Sequence, residues 1–138
     1  MPLNTQLTNA TASVGANAEA ALFNGGFIDI YDGVQPANAD TALGTQVKGV
    51  RCTFGVTAFA TATTGVLTAN AITSGTATAT ITPAWARILK SDGTTTIMDC
   101  SVGTATSNII LSAASFTTGT TVSVTSFTHT VAKATAGL

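Results

Sequence analysis

One stretch of the chain, Thr78 to Gly103 (TATITPAWARILKSDGTTTIMDCSVG), restricts the fold more than any other. Two β-prone runs flank Ser91-Asp92-Gly93-Thr94. Asp-Gly between apolar runs is a strong hairpin signal, because Gly takes positive φ at little cost and Asp hydrogen-bonds the nearby backbone. On the first run Ala86 and Ile88 share one face, while Trp85, Arg87 and Leu89 share the other. Both faces carry apolar groups, which predicts a strand covered on both sides, with Arg87 snorkelling at a rim. Pro83 has no amide hydrogen to donate, so it belongs at the strand's start, on an edge or at a bulge. The fold is therefore expected to be built around Ala84 to Lys90 rather than Thr78 to Thr82.

Other segments alternate in the same period. Phe27, Asp29 and Tyr31 share one face of a first strand and Ile28 and Ile30 the other, with Asp32-Gly33 closing it. Val34 to Thr45, containing Pro36, Asn38, Asp40 and Gly44, reads as a loop with a short helical turn at Asn38 to Leu43, long enough to reach a neighbour. Gln46 to Phe54 alternates again, Val50, Cys52 and Phe54 inward and Arg51 and Thr53 outward; Gly55 and the change of parity at Phe59 predict a bulge or break. Ala60 to Thr82 is rich in Thr, Ala and Gly, and Gly65 and Ser74-Gly75 space its few bulky residues as turns between short strands would. Asn108 to Leu111 supplies another strand and Gly119 another turn. Val122 and Val124 differ in parity from Phe127, His129 and Val131, which predicts a bulge near Thr125-Ser126, before a peripheral tail from Ala132 to Leu138.

A single helical pattern precedes these strands. Leu7, Ala10, Val14, Ala18, Ala21 and Leu22 recur at three- and four-residue steps and form the face expected to dock. Thr and Asn on the other face, with Gly15 inside, make the helix weak by intrinsic propensity, so a sheet or a neighbour must hold it. Gly25-Gly26 stops it. An ordered, extended arm is the alternative. The expected architecture is mainly β: an N-terminal helix or arm over residues 1–26, then an antiparallel β-sandwich of jelly-roll or immunoglobulin-like type over 27–138. The recurring Gly-Thr segments have no fixed period, so a solenoid or propeller is not expected.

Charged residues make up only 8% of the 138 residues, against about 25% in an ordinary soluble domain. Thr, Ser, Ala and Gly must then supply most of the surface, and much of that surface is expected to be covered by other protein. The net charge of −1 and the scattered Lys48, Arg51, Arg87, Lys90 and Lys133 offer no footprint for a phosphate backbone, so no direct nucleic-acid partner is expected. No apolar window approaches the ~18 to 20 residues that span a bilayer, and MPLNTQLTNA lacks the basic start and apolar centre of a signal peptide. These features point to synthesis and folding in the cytoplasm, where Cys52 and Cys100 are expected as buried free thiols. Two Cys and one His make no zinc set.

The candidate chemistry is sparse. His129 is the only side chain with an ordinary pKa near neutrality, but Ser126-Phe127-Thr128-His129-Thr130 reads as a strand interior with no orienting acid or nucleophile beside it. Asp29 and Asp32 are a possible carboxylate pair, yet a strand and its turn aim them differently. Asp32 and Asp92 read as turn residues, and Asp99 as a group that satisfies backbone in the hairpin. Trp85 with Tyr31 is a candidate sugar platform, but a fold of this size needs a large aromatic in its core and Trp85 is the one tryptophan available. The chain is read as a non-enzyme, with no catalytic, cofactor-binding or metal-ligating residues.

The run Ile28-Asp29-Ile30-Tyr31-Asp32-Gly33 with Gln35-Pro36-Ala37 resembles a family of small tailed-bacteriophage virion proteins. So do Leu67-Thr68-Ala69-Asn70-Ala71-Ile72-Thr73, Trp85-Ala86-Arg87-Ile88-Leu89 with Ser91-Asp92-Gly93, and Met98-Asp99-Cys100-Ser101-Val102-Gly103. Order and spacing resemble that family over most of the chain after the helix; Ala86 stands where the family often has a bulky residue, and Cys100 where it has Gly. The resemblance implies a virion structural protein, most naturally a capsid decoration or cement protein that binds the major capsid protein and forms a dimer or trimer. It implies no ligand chemistry. A tail or fibre component and a carbohydrate-binding module are the alternatives.

Overall fold

The computed structural model describes residues 4–132 and is mainly β with one helix. In chain order the elements are α1 (Asn9–Phe23), β1 (Phe27–Tyr31), β2 (Lys48–Phe54), β3 (Val66–Thr68), β4 (Ile72–Thr73) and β5 (Gly75–Thr76). There follow β6 (Trp85–Leu89), β7 (Thr96–Gly103), β8 (Ile109–Leu111), β9 (Thr121–Val122) and β10 (Val124–Thr130). The hairpin read from Asp92-Gly93 is β6–β7. Gly93 has φ 75°, and Asp92 Oδ1 accepts from the amides of Thr94 and Thr95 at 2.9 and 2.8 Å. All five residues of β6 are buried, as expected of a strand covered on both sides.

Eight strands form one sheet in the order β3-β10-β8-β7-β6-β1-β2-β4. It is mixed: β7 and β8 run parallel through Val102↔Ile109 and Gly103↔Ile110, and the other described strand pairs are antiparallel. The sheet curls into a half-barrel and does not divide into the two facing layers of the expected sandwich. Register shifts at Ile30/Tyr31, Ile88/Leu89 and Val124/Ser126 supply part of the bend, because a bulge raises local twist. The last of these is the bulge expected near Thr125-Ser126. A second, two-stranded ladder of β5 and β9 links the far ends. Ser74 separates β4 from β5 and Ser123 separates β9 from β10, and the hydroxyls of these two serines meet at 2.9 Å.

Ser74-Gly75 is consequently not a turn: Gly75 pairs with Val122. A Cβ there would strike the Arg51 carbonyl, so the glycine serves close approach between strands. The segment Asn38 to Leu43 holds a hydrogen-bonded turn, Thr41 N to Asn38 O at 3.2 Å, where a short helical turn was expected. Phe54 ends β2 as anticipated, and Phe59 makes only an isolated bridge to Ala69.

The concave side is apolar. Ile28, Ile30, Val50, Cys52, Phe54, Ala86, Ile88, Val102, Ile109, Leu111 and Phe127 belong to one cluster, with Ala16 and Phe23 from α1. Phe23, Phe54, Phe59 and Phe127 contact one another with ring centroids 5.0–6.5 Å apart, so one helical residue ties β2, β10 and the irregular segment after β2 together. Cys52 and Cys100 are buried and unpaired, on strands separated by β1 and β6.

The docked face of α1 is the reverse of the one expected. Ala12, Ser13, Ala16 and Phe23 are buried, whereas Val14 is 71% exposed and Leu7, Ala10, Ala18, Ala21 and Leu22 are also exposed. The reason lies in residues 58–65, three of whose amides are satisfied by side chains of the helix and its cap. Ala58 N donates to Asn24 Oδ1 at 2.9 Å, Ala62 N to Asn17 Oδ1 at 2.9 Å, and Gly65 N to Ser13 Oγ at 3.1 Å. An unsatisfied buried donor costs about 1–3 kcal/mol, so three of them rival the ~1.5–3 kcal/mol gained by burying each of Val14 and Leu22. Burial of Phe23 and the small alanines on the polar face then decides the orientation. Thr8 caps the start, accepting from Thr11 N at 3.1 Å, and Gly25 with φ 67° marks the stop.

Candidate functional site

The convex side of the sheet gathers five of the eleven charged residues at its centre. Register sets Arg51 opposite Asp29, Asp29 opposite Arg87, and Arg87 opposite Asp99, on the four adjacent strands β2, β1, β6 and β7. The row alternates in sign. Arg51 Nε and Nη2 donate to Asp29 at 2.7 and 2.9 Å, and Arg87 Nε and Nη2 donate to Asp99 at 2.8 and 2.9 Å, both as two-pronged pairs. Lys48 Nζ stands 3.9 Å from Asp29 Oδ2. Arg87 is only 7% exposed, so it does not snorkel at a rim; and Asp99 serves Arg87 rather than the hairpin backbone.

Tyr31 and Trp85 occupy the neighbouring row of that face. Their rings stack at 4.8 Å with 17° between planes, and the Arg87 guanidinium lies 5.5 Å from the indole. Trp85 Nε1 donates to the Asp32 carbonyl at 3.0 Å. Trp85 is buried as expected, but on the convex face beneath a loop rather than in the main apolar cluster. Burial, with the Asp29 charge, raises the Tyr31 pKa. With 1% and 6% exposure, the two rings give each other the faces a sugar would need.

Residues 33–46 form the covering loop. Its neck is closed by Asp32 N to Val47 O at 3.1 Å and Val47 N to Asp32 Oδ1 at 2.6 Å; Gln46 Nε2 donates to Val34 O and Gln46 Oε1 accepts from Gly44 N. Its middle is tied to the sheet where Arg87 Nη2 donates to Thr41 O at 2.8 Å. The remainder turns outward: Val34 is 81% exposed, and Leu43 and Val47 are exposed as well.

The titratable candidates are dispersed. His129 Nε2 lies 3.5 Å from Glu19 Oε1, which links β10 to the helix. Asp29 and Asp32 serve different partners, Arg51 and Val47 N. Asp92, held by the Thr95 hydroxyl and two amides, has its pKa lowered to about 2. Burial pushes the Cys100 thiol up to about 12 and raises that of Cys52. Among the described residues no group of three or more His, Cys, Asp or Glu is placed to hold a metal ion, and no helix is long and apolar enough to cross a membrane.

What sequence reading missed is the pairing of charges. Arg51 was legible as outward-facing and Asp29 as sharing a face with Phe27 and Tyr31, but only the register makes them opposite. The arrangement leaves a surface depleted of charge, since Asp29, Lys48, Arg51, Arg87 and Asp99 belong to one cluster out of five Lys and Arg and six Asp and Glu. Among the described residues the exposed large apolar side chains fall in three places: Leu7, Val14 and Leu22 in or beside α1, Val34, Leu43 and Val47 in or beside the loop, and Val56 after β2. Comparison with family models, with curated proteins and with solved structures finds no match to this chain.

Proposed function

We propose that this chain is a non-enzymatic, adhesive structural protein of a tailed-phage virion, most naturally a capsid decoration or cement protein that clamps neighbouring copies of the major capsid protein. The observation that carries the reading is the division of the surface: of only eleven charged residues five lie in one partly buried cluster on the sheet, while valines and leucines stand exposed on the helix and the covering loop. A surface so poor in charge is poorly solvated alone and suited to being covered. Contacts of this kind are individually weak, and repetition over a symmetric lattice multiplies them. Assembly would take place in the bacterial cytoplasm, with the protein itself as a dimer or trimer. The resemblance in the hairpin and first-strand motifs supports the phage setting; the geometry supports the adhesive part.

The test mixes the purified protein with capsid shells that lack it and measures bound copies. Lattice-wide stoichiometry that persists in moderate salt is expected, because screening weakens exposed ion pairs and leaves apolar burial intact. Binding confined to one vertex would move the protein to the tail. Retention on a polysaccharide column, or strictly monomeric protein with no affinity for shells, would overturn the proposal.

A further inference from the structure

Strand β8 is shorter than both of its neighbours, and the sheet is left with a slot where β8 would otherwise continue. β7 and β10 flank β8, so they stand two strand spacings apart, roughly 9–10 Å. β8 begins at Ile109, opposite Val102 of β7 and Phe127 of β10, whereas β7 reaches back to Thr96 and β10 runs on to Thr130. Asn108 closes the inner end: its Oδ1 accepts from Ser101 N at 3.3 Å and its carbonyl from Thr128 N at 3.1 Å. Every second residue of a strand aims its main-chain groups the same way. Since Ser101 N points toward β8, the N–H and C=O of Asp99 point into the slot. Thr128 N places those of Thr130 likewise on the opposite rim, while Val131 N turns away to Gly65 O at 2.9 Å. Asp99 shows the opening directly: its side chain is 3% exposed, yet the residue is only half-buried, so the exposed part is main chain. Thr128 and Thr130 are exposed as well. Among the described residues none pairs with the main-chain groups of Asp99 on this side or with those of Thr130, and neither rim carries the Lys or Pro that commonly guards an open strand edge.

We propose that this slot takes an extended strand from a second copy of this chain, residues 134–138, laid in line with β8 and hydrogen-bonded to β7 on one side and to β10 on the other. Two facing backbone edges select a strand, because extended main chain alone offers donors and acceptors to both rims at strand spacing. Side-chain parity selects the segment. A strand in this line puts every second residue on the concave side, between Met98 and Cys100 of β7 and Phe127 of β10, all of them in or against the apolar cluster. Ala134, Ala136 and Leu138 share one face of the segment, and Thr135 and Gly137 share the other. The chain leaves β10 at the slot's open end, so these residues start beside it. Return within one chain would need a tight turn at Ala132-Lys133, and neither residue favours the positive φ of two-residue hairpin turns. Exchange of an identical element between copies avoids that turn. The exchange supplies the contact between copies that the proposed dimer or trimer requires, and it rests on that part of the reading alone.

The experiment follows the full chain by sedimentation over a range of concentrations and reads hydrogen exchange at the Asp99 and Thr130 amides by ¹⁵N NMR. Concentration-dependent association is expected, with both amides protected in the associated form. Ala136→Pro removes a donor from the middle of the inserted strand. It should raise the concentration for half-association at least about tenfold and release both amides, while leaving the thermal midpoint at low concentration close to that of the parent. The capped peptide acetyl-Lys-Ala-Thr-Ala-Gly-Leu-amide, in excess, should dissociate the copies and keep both amides protected; the same peptide N-methylated at its second alanine should do neither. Association that survives Ala136→Pro, freely exchanging amides in the associated form, or protected amides in a strict monomer, the mark of insertion within one chain, would overturn the proposal. Shell binding by a strictly monomeric chain would overturn the exchange and leave the adhesive reading standing; an exchanged oligomer with no affinity for shells would do the reverse.

Discussion

The two faces of the central sheet are covered by opposite means. On the concave face Ile28, Ile30, Val50, Ala86 and Ile88 meet other apolar groups and a helix, and nothing about the contact depends on a particular partner atom. On the convex face Arg51, Asp29, Arg87 and Asp99 form a row that works only in one register, closed over by a loop attached through the carbonyls of Thr41 and Asp32. The concave face gains stability from area. The convex face gains specificity, since a one-residue slip would bring charges of this row against the apolar cluster.

The comparison breaks most visibly under truncation. Phe127→Ala removes a ring from the concave cluster and should cost about 3–5 kcal/mol in urea unfolding. Arg87→Ala should cost a similar ~3–5 kcal/mol for a different reason, the abandonment of Asp99 without its partner. The double variant Arg87→Met with Asp99→Leu separates the two: removal of both charges should recover most of the loss, whereas no apolar partner change rescues Phe127→Ala. A double variant as unstable as Arg87→Ala would mean that the row supplies net stability rather than register.

Smaller perturbations sharpen the picture. Trp85→Phe retains ring packing on Tyr31 and deletes the bond to the Asp32 carbonyl, which should cost about 1 kcal/mol and speed amide exchange in residues 33–46 ahead of the rest. Asp92, in the hairpin turn, has its folded pKa lowered from 3.8 to about 2, chiefly by the Thr95 hydroxyl and amide. Its contribution is therefore fully present above pH 3.8 and lost as pH falls toward 2, and Asp92→Asn should flatten the denaturation midpoint across that window. Reducing agent should leave the melting temperature unchanged, and a thiol reagent at neutral pH should label Cys52 and Cys100 only as fast as the protein opens. Least of all, Val14→Ser, on the exposed face of the helix, should change stability by no more than about 0.5 kcal/mol.

The sequence by itself determined the hairpin at Asp92-Gly93, the faces of β1, β2 and β6, the break after Phe54, the bulge in β10 and the C-terminal stop of the helix. Each of these is a matter of period and local backbone chemistry, which neighbouring residues suffice to encode. Only the tertiary structure decided which side of the helix turns inward, because that choice hangs on the amides of Ala58, Ala62 and Gly65, far along the chain from the Asn24, Asn17 and Ser13 that satisfy them. It also decided that outward-facing Arg and Asp residues on four strands become paired partners, that β8 runs parallel to β7, and that the strands curl into one sheet. Register and closure are properties of contacts between distant segments, and periodicity within a segment carries no record of them.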